Sequence, residues 1–420
     1  MKSVHIFHFV AVGILFIMVA KHPCLAAEDL TQMNLDELIK YAEENNPSIA
    51  AARQNIPIAQ AHVEIVGTRS NPQIAYSQSF IGGIPGSEGG STEYAPNISF
   101  DLDFFGKRSQ RKVVAEKNLE AEKLSFDNFR RQFRLTFRNT YRQYLLLSQQ
   151  LKATSEFYES YKDLLVASEV RAKTGDISGV EYSRLELERI AFEVELQATA
   201  IHHRETSNQL NYLLGLPPQE KAIQLKGKLE FEPLSVLGVS LTDRTPSKRP
   251  DLLELKTLIE KFHSESILKR REAFPTLSIG GEYRKKGQEG YLGFSISLPI
   301  PIFDRRQGEI QSAEESAKKL TLEAQAKERE IALEVQSKQD ELRLREQLLT
   351  RFEQLNLLEK NREVAEKSRF AYLKRAYSMV QLLEAQRNYF TVIKSYYEQL
   401  FLYYNAVDKY LSSASQGEST

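Results

Sequence analysis

"NISFDLDFFGKRSQRK" (97–112) alternates and then stops alternating. Ile98, Phe100, Leu102 and Phe104 fall on one face of an extended chain, while Asn97, Ser99, Asp101 and Asp103 fall on the other. From Gly106 onward the composition becomes charged and helical. A second stretch, "GFSISLPIPIFDRRQGEI" (293–310), repeats the event: Phe294, Ile296, Leu298 and Ile300 alternate with Gly293, Ser295, Ser297 and Pro299 before another charged helix begins. The chain runs a strand into a long helix twice, and any fold must accommodate that.

Each of these strands has a partner upstream. In "NPQIAYSQSFIGG" (71–83) Ile74, Tyr76 and Phe80 alternate with Ala75, Ser77 and Ser79, and in "FPTLSIGGEYRKKG" (274–287) Leu277, Ile279 and Tyr283 alternate with Ser278, Gly280 and Glu282. The pattern fits a soluble sheet with one face on a core. It fits equally a sheet in a bilayer, because strands of roughly ten residues can cross at a tilt and Tyr76, Phe80, Phe104, Phe105, Tyr283, Tyr291 and Phe303 lie near strand ends. Four strands cannot close around a pore, so a membrane reading demands oligomerisation.

The helices are unusually long. From Gly106 to about Arg171 neither Pro nor Gly interrupts the amphipathic pattern, and from Gln307 to about Lys374 only Gly308 does. Each would reach roughly 100 Å. Apolar spacing in "LTFRNTYRQYLLLSQQL" (135–151) and "LLTRFEQLNLLEKNREVAEKSRFAYL" (348–373) predicts coiled-coil-like packing. The breaks fall at "RAKTGDISGVEYSRLE" (171–186), where Asp176 and Ser178 are suited to cap the next helix, and at "AYLKRAYSMVQLLEAQ" (371–386).

The N-terminus has the layout of a secretory signal: Lys2, an apolar run from Val10 to Ala20, and small residues at Ala26 and Ala27. The only cysteine, Cys24, lies inside it, so cleavage would leave a chain without thiols; lipidation of Cys24 is the alternative, although His22-Pro23 before it is unlike a lipoprotein signal. Acidic and basic residues balance at 56 each, and no basic stripe marks a nucleic-acid surface. The expected organisation is a signal peptide (1–27), a first repeat (28–215), a linker (216–243), a second repeat (244–412) and a flexible tail (413–420). Strands are expected at 72–82, 94–104, 275–285 and 291–302, and long helices at 106–172, 180–214, 305–374 and 379–411. The matching order of the halves reads as an internal duplication.

The chain resembles the TolC-like outer membrane factors, and within them the CzcC-like cation-efflux branch. The resemblance rests on the duplicated order, "NNP" after the opening helix, the junctions "DFFGKR" and "PIFDRR", "LLGLP" ending the first half, "RPDL" opening the second and "LLEAQ" after the second tip. It implies a mixed α and β membrane protein in which long antiparallel helical hairpins form a periplasmic α-barrel. Four strands per chain then contribute to a twelve-stranded outer membrane β-barrel in a homotrimer. Implied partners are outer membrane lipid, a periplasmic adaptor (a membrane fusion protein) and an inner-membrane transporter of the RND type.

By the same resemblance the periplasmic tip and gate are assigned to Arg171, Gly175, Asp176, Glu181, Tyr372, Arg375, Gln381 and Glu384. Gly175 and Glu181 match the family's pattern of Gly followed by an acid six positions on, whereas Arg375 and Gln381 replace both in the second hairpin. Glu384 matches an acid lining the constriction, and Tyr372 a tyrosine that bonds the other hairpin's acid. Ile98, Phe100, Leu102, Phe294, Ile296 and Leu298 are expected to face lipid.

No phosphate loop, His-Glu helix motif or nucleophile elbow is present, so a passive, non-enzymatic export duct is expected, with neither cofactor nor resident metal. His202 and His203 are adjacent and point about 100° apart on a helix, a poor chelating pair. The resemblance to the cation-efflux branch implies heavy-metal cations as cargo, with no coordinating residues in the sequence to support it; drugs, organic solutes and secreted peptides are the other candidates. An exported coiled-coil scaffold and a type I secretion exit duct are the alternatives.

Overall fold

The computed structural model describes residues 30, 32–81, 91–217, 225, 227, 229–241 and 248–413. The expected signal segment with Cys24, residues 82–90, much of the expected linker and the expected tail after 413 lie outside the described residues. Helices α1 (Leu35–Asn45), α2 (Pro47–Arg53) and α3 (Asn55–Gly67) lead to strands β1 (Gln73–Ile81) and β2 (Ser91–Leu102). Helix α4 (Lys107–Lys173) then runs out and α5 (Gly179–Leu213) returns. After the linker, α6 (Pro250–Glu272) leads to β3 (Leu277–Lys286) and β4 (Glu289–Ser297). Helices α7 (Gln307–Gln354) and α8 (Leu357–Leu373) run out, and α9 (Met379–Ser413) returns.

The four strands form one antiparallel sheet in the order β1-β2-β3-β4. Register sets Ile74 opposite Ile98, Phe100 opposite Ile279 and Ile279 opposite Ile296, so the apolar face is continuous across all four strands. The other face sets Asn97 opposite Glu282 and Ser99 opposite Gly280. The expected end of the fourth strand at 302 is corrected to Ser297. Leu298 lies just past it, because Pro299 and Pro301 have no N–H to give a ladder. Strands β3 and β4 are joined by a two-residue turn at Gly287-Gln288, with Lys286 paired to Glu289 and Gly287 at φ +59°.

The outgoing helix expected as one piece over 305–374 is two. Asn356 takes φ +49° between α7 and α8, and its N–H bonds the Glu353 carbonyl at 3.0 Å, three residues back rather than four. Asn tolerates this left-handed conformation better than most residues, so a break appears where neither Gly nor Pro announces one. Helix α4, by contrast, runs unbroken for 67 residues.

Helices α3, α5, α6 and α9 pack along α4, α7 packs along α6 and α9, and α8 along α9. The body therefore has two open edges, α3 with α5 on one side and α7 with α8 on the other. Its main core gathers Leu38, Ile49, Phe137, Leu210, Leu349, Leu400 and Tyr403 at mid-length, and a second cluster nearer the tips gathers Phe157, Tyr161, Leu185, Phe192, Tyr372 and Leu382. Three tyrosines of α9 fix the irregular linker by donating to its carbonyls: Tyr403 to Glu232 (2.9 Å), Tyr404 to Glu230 (2.7 Å) and Tyr410 to Ser240 (3.2 Å). At the sheet end, Glu272 accepts from Arg111 of α4 (3.0 Å) and from Arg306 before α7 (3.3 Å), joining the starts of both outgoing helices to the end of α6.

Two of the sequence motifs meet at mid-length. Asn46 is 2% exposed; its Oδ1 accepts from the Ser48 N–H that opens α2, and its Nδ2 donates to the Tyr212 and Leu213 carbonyls that close α5. Gly215 lies against this contact at φ +74°, and a Cβ there would sit 2.5 Å from the Asn45 carbonyl oxygen. Gly215→Ala therefore meets backbone on one side and an unfavourable φ on the other. It should lose about 1–3 kcal/mol, read as a lower thermal midpoint than wild type in the same detergent; an unchanged midpoint would contradict the packing described.

Candidate functional site

The two tips have the same backbone built from different residues. At the first, Lys173 ends α4, Gly175 takes φ +76°, and the Asp176 N–H reaches back to the Arg171 carbonyl at 2.8 Å. At the second, Arg375 takes φ +64° and the Ala376 N–H reaches the Ala371 carbonyl at 2.8 Å. These are paired Schellman-type closures, one on Gly and one on Arg. Each is followed by a Ser N-cap. Ser178 exchanges bonds with Glu181, and Ser378 makes the same exchange with Gln381.

This geometry places the expected tip residues and changes two of their roles. Ser178 caps α5, but Asp176 does not: its carboxylate accepts from Arg171 Nε at 2.7 Å and pairs with Arg375 at 3.0 Å. Asp176 therefore links the two hairpins within one chain. Tyr372 is 3% exposed, with the Arg171 guanidinium 5.1 Å over its ring. Its hydroxyl has no hydrogen-bond partner among the described residues, so the bond to the other hairpin's acid that the resemblance implies is not made among them. Glu181 is occupied by its cap. Glu384 is exposed, and it lines the cleft between α5 and α9 with Arg184, Leu187 and Arg387.

Further along that cleft two ion pairs cross from α9 to α5, Arg387 with Glu188 and Lys394 with Glu195. Sequence reading missed them, although Glu188 and Glu195, like Arg387 and Lys394, are seven apart, two helical turns. It also missed a stripe on α5 of exposed Val180, Leu187, Val194 and Ile201, again at seven-residue spacing. On the opposite edge, exposed Leu322, Leu333 and Leu344 recur on α7 at eleven-residue spacing.

At the other end, none of the described residues forms a layer against either face of the sheet. Ile74 is 81% exposed, Leu292 90% and Phe294 73%, and Ile98, Phe100 and Ile296 are also exposed, while Leu102 at the end of β2 is partly covered. On the polar face Arg284 pairs with Glu93 at 3.2 Å and Glu282 at 3.1 Å, and Ser278 donates to Asp101. No helix among the described residues is long and apolar enough to cross a membrane. Among those residues no group of three or more His, Cys, Asp and Glu is placed to hold a metal ion. His202 faces Glu205 (3.3 Å) and His203 faces Ser148 (3.0 Å), so the adjacent histidines diverge; burial holds the His203 imidazole below its ordinary value.

Known proteins share this architecture. The family model "Outer membrane efflux protein" matches residues 38–209. The pyoverdine export outer membrane protein OpmQ of Pseudomonas putida is 23% identical over 305 residues, 67% of this chain and 64% of its own length. The cobalt-zinc-cadmium resistance protein CzcC of Cupriavidus metallidurans is 21% identical over 304 residues, 72% of this chain and 70% of its own. The match to OpmQ thus spans just under two thirds of that protein. The Campylobacter jejuni CmeC outer membrane channel superimposes with a TM-score of 0.73 at 16% identity, over 99% of this chain and 94% of its own. At that identity the likeness establishes the fold: that of the TolC-like channels, mostly helical with a small antiparallel sheet.

The tip bridge carries a pH expectation. The hydrogen bond from Arg171, with further help from Arg375, holds the Asp176 carboxyl below its ordinary value near 3.8. A group whose folded value is lowered contributes fully above its unfolded value and is lost only as pH falls through the folded one. In a Cys24→Ser chain with spin labels at positions 174 and 374, the label separation should stay constant from pH 7 to pH 5. In Asp176→Asn it should broaden at both values. Equal distributions in the two chains would show that the bridge does not hold the tips.

Proposed function

We propose that the chain is an outer membrane efflux protein, as its match to that family model over residues 38–209 supports, and that three copies form a duct leading substrate across the periplasm and the outer membrane. Four strands from each chain close a twelve-stranded barrel, and the helices continue its wall into the periplasm. The observation that carries this reading is the one-layer sheet, whose apolar face, interrupted by Gln78 and Lys285 toward the hairpin ends, is bare among the described residues while the other face is polar. A soluble scaffold would have to cover Ile74, Leu292 and Phe294. A barrel in lipid leaves them where they are and lines its lumen with Glu93, Asn97, Ser99, Asp101 and Glu282.

The open edges support the homotrimer. Apolar side chains recur along α5 on one edge and along α7 on the other, and closure of a ring would pair an edge of one copy with the opposite edge of the next. The two tips, with Gly175, Ser178 and Glu181 answered by Arg375, Ser378 and Gln381, support an internal duplication.

In this reading the tips face a periplasmic adaptor, itself on an inner-membrane transporter of the RND type. The gate of this chain is the Asp176 bridge to Arg171 and Arg375, with Tyr372 packed beneath Arg171. Arg375 and Gln381 leave a weaker acidic ring than Gly and acid would give, and Glu384 is the acid free to meet a cation. CzcC, a cobalt-zinc-cadmium resistance protein, favours heavy-metal cations as cargo.

Outer membrane fractionation, unboiled gel electrophoresis and planar-bilayer conductance test this directly. A detergent-resistant trimer in the outer membrane with small conductance is expected; a carbonate-extractable monomer without conductance would replace the duct with the scaffold. Phe100→Arg or Ile296→Arg should cost about 2–4 kcal/mol near the bilayer middle and abolish trimer yield, and normal yield from both would reverse the orientation of the sheet. Asp176→Asn should raise single-channel conductance while Tyr372→Phe leaves it near wild type. The opposite ranking would return the gate to the tyrosine hydroxyl.

A further inference from the structure

Directly below the sheet, exposed aromatic side chains lie beside cations. Phe105 stacks on Phe274 with ring centroids 4.7 Å apart, and both rings are exposed, as are Phe104, Ile302 and Phe303. Arg271, three residues before Phe274, donates from Nη1 to the Gly106 carbonyl at 3.0 Å, which puts its guanidinium beside the stack.

The acids of this collar are committed. Asp103 pairs with Arg111, Glu309 with Lys269 and Arg306, and Glu314 with Arg270, while Glu272 serves Arg111 and Arg306. Asp304 turns its carboxylate to the Arg306 backbone N–H at 2.8 Å. The side chains of Arg108 and Arg305 make no hydrogen bond or ion pair among the described residues. That N–H does not cancel the Asp304 charge, yet Arg108, Arg271 and Arg305 all lack an acidic partner among the described residues, so the collar has an excess of positive charge at the level where the apolar face of the sheet ends.

We propose that this collar, through Arg108, Arg271 and Arg305, binds the phosphates of anionic phospholipid headgroups in the periplasmic leaflet of the outer membrane. The inference rests on the membrane reading of the sheet and adds the lipid chemistry and the residues. Arginine suits the task because its planar fork can hold two phosphate oxygens at once. The aromatic rings beside it take the interfacial depth that such rings prefer. The apolar strip continues upward from the same residues through Leu102 and Leu277, so a lipid with its head on the collar would lay its chains against the sheet. A soluble acidic protein would match the charge but would leave Phe303 and Ile302 in water.

The experiment uses full-length protein extracted from the outer membrane, loaded with dioleoylphosphatidylglycerol in mixed micelles, with retained lipid counted by native mass spectrometry. Arg108→Gln/Arg305→Gln spares the Arg271 bond to Gly106 and should retain about tenfold less phosphatidylglycerol. Arg108→Lys/Arg305→Lys should retain most of it, and Lys319→Gln, on the exposed flank of α7, should match wild type. Equal retention by the glutamine variant and wild type would overturn the proposal, as would full displacement of the lipid by an equal concentration of inorganic phosphate. Should the glutamine variant fail to assemble, Arg305→Gln alone decides by the same count. If the wild-type chain is absent from the outer membrane, the duct reading falls and the collar with it; if it is present and retention is unaltered, only the collar falls.

Discussion

The carboxylate of Glu272 holds together the starts of both outgoing helices. It lies at the end of α6 and accepts from Arg111 near the start of α4 and from Arg306 at the start of α7, and its side chain is 15% exposed. A sheet with no layer of described residues on either face cannot brace the helices that leave it, so the bracing has to come from beneath. Ion pairs in full contact with water contribute little, whereas a partly covered carboxylate shared by two guanidiniums has both its Coulomb term and its geometry improved. Everything farther from the sheet inherits the relative position of α4 and α7 set here. The tips lie about 100 Å away, so a small change of angle at this point becomes a large displacement there.

Much of the architecture was legible in the sequence because it depends on period. Alternation over 98–102 and 294–297 gave strands with one apolar face, and an uninterrupted amphipathic pattern gave a helix of the observed length. The short motifs were legible as signals but not as mechanisms. "NNP" and "LLGLP" lie far apart in the chain, and only the fold shows that Asn46 caps one helix while tying down the end of another beside Gly215. What sequence hid was conformation without a marker. Asn356 breaks an outgoing helix where nothing but a tolerance for positive φ distinguishes it. The tyrosines of α9 likewise look like core residues, yet their hydroxyls hold the linker.

At the tips the sequence misled through residue identity while the backbone stayed constant. Gly175 and Arg375 differ as much as two residues can, yet both take the left-handed closure, and Arg375 accepts the conformational cost of a side chain at φ +64°. What offsets that cost is visible: the guanidinium placed there reaches Asp176 on the other hairpin. A glycine could close the turn more easily but could not make the bridge. Asp176, which from sequence looked like a cap, is displaced from capping because Ser178 already fills that place and two arginines compete for the carboxylate.

The open edges add a constraint on the shape of the proposed assembly. Seven-residue spacing is 3.5 residues per turn and eleven-residue spacing is 3.67, on either side of the natural period of the helix. The α5 stripe belongs to the tip half of the body, and the α7 stripe to the half beneath the sheet. Helices packing along the first must wind left-handed about one another, as coiled coils do, whereas helices packing along the second can run nearly straight or with a slight right-handed turn. A wall that is straight under the membrane and supercoiled toward the tips would widen below the barrel and draw in at its far end. In the proposed assembly that taper would put the narrowest point where the Asp176 bridge lies, the end at which the tip chemistry also puts the proposed gate.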